Sequence, residues 1–181
     1  MPKLLDAENF AKERHSGMLR KDGVTTHYEH LTGVVTRLKN LGVTDEDVLC
    51  AAWLHDIIED TSTSFDEIDQ RFGSRVAVLV LSLSKDRLLP KGQQEEQYIK
   101  QLRESSFEAK LIKLCDISAN LKSIKSSSLS KTKKGKTVRK ILNYFKAIKP
   151  DLIKNKTLVI TSLIDGINEV TISFGHKPIS L

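Results

Sequence analysis

Cysteine is nearly absent from this 181-residue chain, which has only Cys50 and Cys115. Both lie in apolar stretches, VLCAAWL and LIKLCDI, where cysteine behaves as a small buried hydrophobe. A disulfide framework is therefore excluded. No apolar run approaches the roughly 18 residues that span a bilayer. The N-terminal stretch MPKLLDAENFAKERHSG has no signal-peptide apolar region, so a cytoplasmic location is expected. Sustained strand-like alternation is almost missing, which argues against a sheet-based core. Acidic residues are missing from Ile117 to Pro150, a segment with ten Lys or Arg. That exceeds the whole net charge of +6, so the remainder of the chain is net acidic. Such a segment is either a solvated basic face or meets an anion. Its only aromatics are Tyr144 and Phe145, too few to support base stacking, so nucleic acid is not an expected partner.

What is present is typical of a globular chain: 39% hydrophobic and 29% charged residues. The length suits one domain over residues 1–181, with no internal repeat. Apolar residues recur at helical spacing, as in Leu31, Val34, Val35, Leu38 and Leu41. The spacing predicts an all-α bundle of about eight to nine helices. They cover Leu4–Ser16, Tyr28–Asn40, Asp45–Ile57, Phe65–Arg71, Ser74–Leu83, Gln93–Gln101, Phe107–Lys122, Lys133–Ala147 and Leu152–Ser173. Thr44 and Asp47 read as a capping box for the third. Leu19–Thr26 and Ser84–Gly92 read as cation-bearing connectors, and the Ser/Lys-rich stretch Ser123–Thr132 as a candidate mobile segment.

The stretch AAWLHDIIEDT carries the chemistry. His55, Asp56, Glu59 and Asp60 stand among residues that otherwise mark a buried helix, where an unpaired carboxylate is costly. On a continuous helix His55 and Glu59, and Asp56 and Asp60, form neighbouring stripes. A divalent cation is the simplest partner, although a solvated helix end would explain a lone His-Asp pair equally well. Two further ligand types shift the balance: His30 in HYEHL and Asp116 in the apolar KLIKLCDISANL. Two imidazoles with two carboxylates suit manganese, iron or zinc.

From about Ala7 to Tyr144 the ordered motifs AKERHSGMLRKDG, HYEHL, AAWLHDIIEDT, FGSRVAVLV, LLPK and KLIKLCDISANL resemble the RelA/SpoT group of HD-domain hydrolases. That group includes stand-alone small alarmone hydrolases. The resemblance implies a helical bundle around a central metal, with residues 145–181 as a C-terminal helical extension. It implies metal ligands His30, His55, Asp56 and Asp116, and a catalytic pair Glu59 and Asp60. Arg20, Lys21, Lys91 and Lys140 fall where relatives present positive charge, and Asn120 and Tyr144 on positions that contact substrate. A diphosphate suits such cations. His15 matches a position read as packing, whereas His27 and His176 have no nameable partner. No histidine lies between His55 and His176, so one ion, manganese by resemblance, is implied rather than a tandem-metal phosphodiesterase site. The chain departs from the family where TTHYEHL lacks the flanking prolines and where Ile117 replaces a basic residue after Asp116; the latter bears on substrate preference.

The activity implied is removal of the 3′-pyrophosphate of (p)ppGpp, giving GDP or GTP and pyrophosphate. The implied partner is a small nucleotide, and no synthetase half is expected. The same site on a ppApp-type alarmone or the 2′-phosphate of NADPH is the nearest alternative. A non-catalytic alarmone or RNA binder is the alternative from another class. Oligomeric state is not legible in the sequence.

Overall fold

A computed structural model describes residues 2–20 and 22–181, with the backbone alone for Lys91. Ten helices lie among them: α1 (Lys3–Arg14), α2 (His27–Asn40), α3 (Glu46–Leu54), α4 (Ile57–Asp60), α5 (Phe65–Phe72), α6 (Ser74–Leu83), α7 (Lys91–Glu104), α8 (Phe107–Ser126), α9 (Lys131–Lys154) and α10 (Leu158–Ser173). The all-α expectation holds; the described residues contain one isolated bridge, between Leu19 and Thr26. No described helix is long and apolar enough to cross a membrane.

Hydroxyl caps set half of the ten helix starts. Thr26, Ser64, Ser106, Ser130 and Thr157 each accept a hydrogen bond from the backbone N–H three residues on, satisfying a donor the helix leaves orphaned. At Thr26 the cap is reciprocal, because the Glu29 carboxylate also accepts from the Thr26 N–H at 2.7 Å. Helix α3 corrects the sequence reading: its cap is Asp45, which accepts from the N–H groups of Asp47 and Val48, and not Thr44. Asp47 is drawn instead to Lys3 at 2.5 Å and Arg75 at 3.3 Å, so it cannot close a box on Thr44.

Two helix boundaries also differ from expectation. The segment expected as one helix, Asp45–Ile57, breaks at His55-Asp56 into α3 and α4. Helix α9 runs through Pro150 to Lys154, and α10 starts only at Leu158. Burial of Ile148 and Leu152, with an ion pair from Lys110 to Asp151 at 2.6 Å, holds the helix where the proline removes one backbone donor.

Helix α8 is the axis of the bundle. It packs on α2, α3, α6, α9 and α10, and buries residues on every side, including Lys113 and Asp116. The stretch expected to be mobile, Ser123–Thr132, forms the end of α8, a short turn and the start of α9; Ser127 is buried and its hydroxyl donates to the Ile124 carbonyl at 2.9 Å. Burial pushes the thiols of Cys50 and Cys115 up to about 12, which leaves them inert packing groups.

Candidate metal centre and its pocket

The break after α3 builds the centre. His55 is the C-cap of α3, and its Nδ1 lies 2.8 Å from the Ala52 carbonyl. Because a carbonyl only accepts, Nδ1 carries a proton, and Nε2 is the ring nitrogen turned inward. Asp56, with φ −98° and ψ −5°, turns its carboxylate to the same point. The continuous helical stripe expected for His55, Asp56, Glu59 and Asp60 is thus replaced by a corner, which aims adjacent residues together instead of residues four apart.

His30, on the first turn of α2, and Asp116, in the middle of α8, complete the cluster. His30 Nε2 lies 3.2 Å from Asp116 Oδ1 and 3.7 Å from Asp56 Oδ2. His55 Nε2 lies 3.3 Å from Asp56 Oδ1 and 3.6 Å from Asp116 Oδ1. Both imidazole Nε2 atoms are buried without a hydrogen-bond partner. Ligands bound at about 2.1 Å in an octahedron stand about 3 Å apart, so these separations suit a small divalent cation.

Charge agrees with geometry. Burial works against the Asp116 carboxylate, yet the Lys113 ammonium, 2.8 Å away, with His30 and His55 holds it well below the usual range. Burial likewise opposes Asp56, and His55 and His27 hold it low. His55 loses basicity to burial but regains more from Asp56 and Asp116, rising to about 9; His30 is lowered, chiefly by burial. Two carboxylates that stay ionised in a dry site attract positive charge, and a divalent cation would be held there by Asp56 and Asp116 with the imidazoles of His30 and His55 in their neutral form.

Asp56 and Asp116 of the cluster line a cavity of about 370 Å³. Glu59 lies on its wall: its Oε1 accepts from the Lys85 N–H at 2.8 Å, and its Oε2 lies 3.5 Å from Lys85 Nζ. Asp60 is raised by burial and by the neighbouring Asp56. Arg20 reaches Asp56 Oδ2 at 3.4 Å and donates to Asn120 Oδ1; Asn120 Nδ2 donates to Asp116 Oδ1 at 2.7 Å. Lys140 and the Tyr144 hydroxyl both engage Glu95, each at 2.5 Å, at the far side of the cavity. The structure therefore brings Asp56, Glu59, Asp60, Asp116, Arg20, Asn120, Lys140 and Tyr144 to one cavity, with His30 and His55 buried against Asp56 and Asp116. Lys21 lies outside the described residues, as does the side chain of Lys91, whose backbone opens α7.

Four neighbours escaped the sequence reading. Lys85 and Lys113 line the cavity, with ammonium groups within 4.5–5.4 Å of the Tyr98 and Tyr144 ring centres. Glu95 restrains Lys140 and Tyr144. His27, for which no partner was expected, stacks on His15 with ring centres 4.2 Å apart, and its Nε2 lies 3.3 Å from Asp56 and 3.4 Å from Asp60. Lys113 carried a signal, since it stands three residues before Asp116 on an apolar helix. His27 carried one too, three residues before His30. His15 is buried as expected; burial, then the adjacent His27, pushes it down to about 4, so its ring is neutral near pH 7.

An all-helical bundle with buried His and Asp side chains converging beneath a cation-lined cavity defines a class, that of helical metal-site proteins. The family model described as HD domain matches residues 7–148, and the chain belongs to that family. The Danio rerio protein named guanosine-3′,5′-bis(diphosphate) 3′-pyrophosphohydrolase MESH1 is 38% identical over 144 residues, 78% of each chain. The Homo sapiens protein of the same name is also 38% identical over 144 residues, again 78% of each. A solved structure described as a metazoan ortholog of SpoT that hydrolyzes ppGpp superposes with a TM-score of 0.83 at 27% identity, covering 97% of both chains.

Proposed function

We propose that this chain is a metal-dependent hydrolase that removes the 3′-pyrophosphate of (p)ppGpp. The observation that carries the reading is the His30, His55, Asp56 and Asp116 cluster, whose two aspartates line a cavity together with Arg20, Lys85, Lys113 and Lys140. The relatives named for this reaction, and the superposed structure described as hydrolysing ppGpp, support the substrate. Two histidines and two carboxylates suit manganese, and the reaction is assigned to the cytoplasm.

When bound, a divalent cation supplies Lewis acidity, making a nearby water a stronger acid and drawing charge from phosphate oxygens. The chain's residues do the rest. Glu59, steadied by the Lys85 N–H, accepts the proton of the attacking water. The water oxygen joins the phosphorus attached to the ribose, the bond from that phosphorus to the ribose 3′ oxygen breaks, and the ribose oxygen leaves with a proton. Asp60, raised by burial, is suited to hold that proton. The cationic walls offset charge on the departing pyrophosphate. Purified protein loaded with manganese should turn over ppGpp in preference to ppApp and NADPH. Preference for NADPH or ppApp would move the reading to the alternative substrate.

A further inference from the structure

The last carbonyls of a helix have no partner within it. At the end of α6, side chains of α7 supply donors to them. The Tyr98 hydroxyl donates to the Leu83 carbonyl at 2.8 Å. The side-chain amide nitrogen of Gln101 donates to the carbonyls of Leu81, Ser82 and Ser84 at 3.0, 2.9 and 2.9 Å. Three carbonyls around one end of the Gln101 amide fix that end as nitrogen, because an amide oxygen there would meet only other acceptors.

The Ser84 carbonyl differs from the other two in what lies behind it. It shares a peptide group with the Lys85 N–H, and that N–H donates to Glu59 Oε1 at 2.8 Å. The C=O and N–H of a trans peptide point in opposite directions, so this one group faces Gln101 on one side and the Glu59 carboxylate on the other. Ser84 is the extended C-cap of α6, with φ −100° and ψ 137°, so the helical ladder no longer sets the peptide plane that follows it. A hydrogen bond accepted at the C=O also polarises the peptide and strengthens the bond its N–H donates. Arg87 keeps the same connector docked on α4, its guanidinium donating to the Glu59 carbonyl and, at 3.3 Å, to that of Ile58.

We infer that Gln101 is a positioning residue for Glu59, acting through the Ser84–Lys85 peptide group. The inference rests on Glu59 accepting the proton of the attacking water. Gln101 stands outside the cavity lining and acts at one remove. Its amide sets the peptide plane, and the peptide N–H sets where Glu59 Oε1 stands. A glutamate side chain turns about three bonds, and only some of its orientations bring a carboxylate oxygen to the water's proton. Holding one orientation therefore raises the rate of the chemical step and leaves substrate binding alone. The connector carries this restraint whichever nucleotide is the substrate.

The test is a double-substitution cycle on the full, manganese-loaded chain, with kcat, KM and bound manganese measured on whichever of ppGpp, ppApp and NADPH the wild type turns over fastest. Gln101→Met keeps the side-chain length without the donor. It should lower kcat roughly 3- to 10-fold, the worth of one neutral hydrogen bond, with KM and bound manganese unchanged. Gln101→Lys returns a donor to the same carbonyls and should recover most of that loss. In the Glu59→Gln background Gln101→Met should cost nothing further, because the group it positions no longer takes a proton. Should Gln101→Met fail to fold by circular dichroism, Gln101→Asn, whose amide is one methylene short of the carbonyls, takes its place with the same expectation. A residue that only caps α6 would lower the thermal midpoint when replaced and leave kcat per folded chain at the wild-type value, which overturns the inference. An equal fractional loss in both backgrounds, or Gln101→Lys as slow as Gln101→Met, overturns it as well. Wild-type kcat in Glu59→Gln alone is a separate result: it removes the base and this inference with it, and a different variant reports it.

Discussion

Glu59 and Asp60 adjoin the same cluster yet are held differently, and that difference gives each its test. Glu59 is bonded to the backbone and faces the ammonium of Lys85, so Glu59→Gln keeps nearly the same shape while losing the ability to take a proton. Metal content should stay unchanged while kcat falls on the order of 100-fold or more, the usual contribution of a general base. A kcat within a few-fold of wild type would transfer the role away from Glu59. The cations belong to a second residue-scale prediction. Lys140 lines the cavity, so Lys140→Ala should raise KM, a charge-assisted contact contributing roughly 1.5–3 kcal/mol. Lys133→Ala removes the same charge from the exposed first turn of α9 and should leave KM near wild type. Equal losses from both would mean that the field is diffuse. Ligand types were legible at this scale because histidine and aspartate within apolar runs need a reason to be buried. The partners Lys85, Lys113 and Glu95 were not, because lysine and glutamate are common on surfaces and only packing shows which ones face inward.

At the scale of elements, apolar spacing made the helices readable, while their junctions followed contacts between distant residues. Helix α6 runs from Ser74 to Leu83 as the spacing predicts. The break at His55-Asp56 has no proline or glycine to announce it, and it falls where His30, His55, Asp56 and Asp116 converge. Conversely Pro150 announces a break that burial of Ile148 and Leu152 overrides. Pro150→Ala should restore the missing backbone bond and stabilise the protein by about 1–3 kcal/mol, less what the proline saves in unfolded-chain entropy. A higher thermal midpoint by calorimetry is the expected result; a lower one would mean that the ring itself packs to advantage. The junction of α1, α3 and α6 carries a pH prediction. Arg75 accounts first for the lowered carboxyl of Asp45, and Lys3 for that of Asp47. Depressed folded values mean stability that is present above the ordinary carboxylate range and lost as pH falls through it. These pairs are largely exposed, so Arg75→Ala should move the acid-unfolding midpoint upward only slightly.

For the whole molecule, the basic run of the sequence becomes position. Helix α9 brings Lys140 and Tyr144 to the cavity, with Lys136 and Arg139 on an adjoining cleft of about 400 Å³. The face is thus placed to meet an anion, as the charge asymmetry suggested, and α10 packs against the central α8. We propose that residues 1–181 fold as one unit, which denaturant unfolding should report as a single transition coincident by circular dichroism and tryptophan fluorescence. The central claim is that metal-dependent hydrolysis occurs at the Asp56 cluster. Its most direct test is product analysis of ppGpp incubated with manganese-loaded wild type and with Asp56→Ala. The account predicts GDP and pyrophosphate in equal amounts from wild type, abolished by chelation, and neither bound metal nor product from Asp56→Ala. Release of orthophosphate, or turnover that survives both chelation and Asp56→Ala, would contradict it.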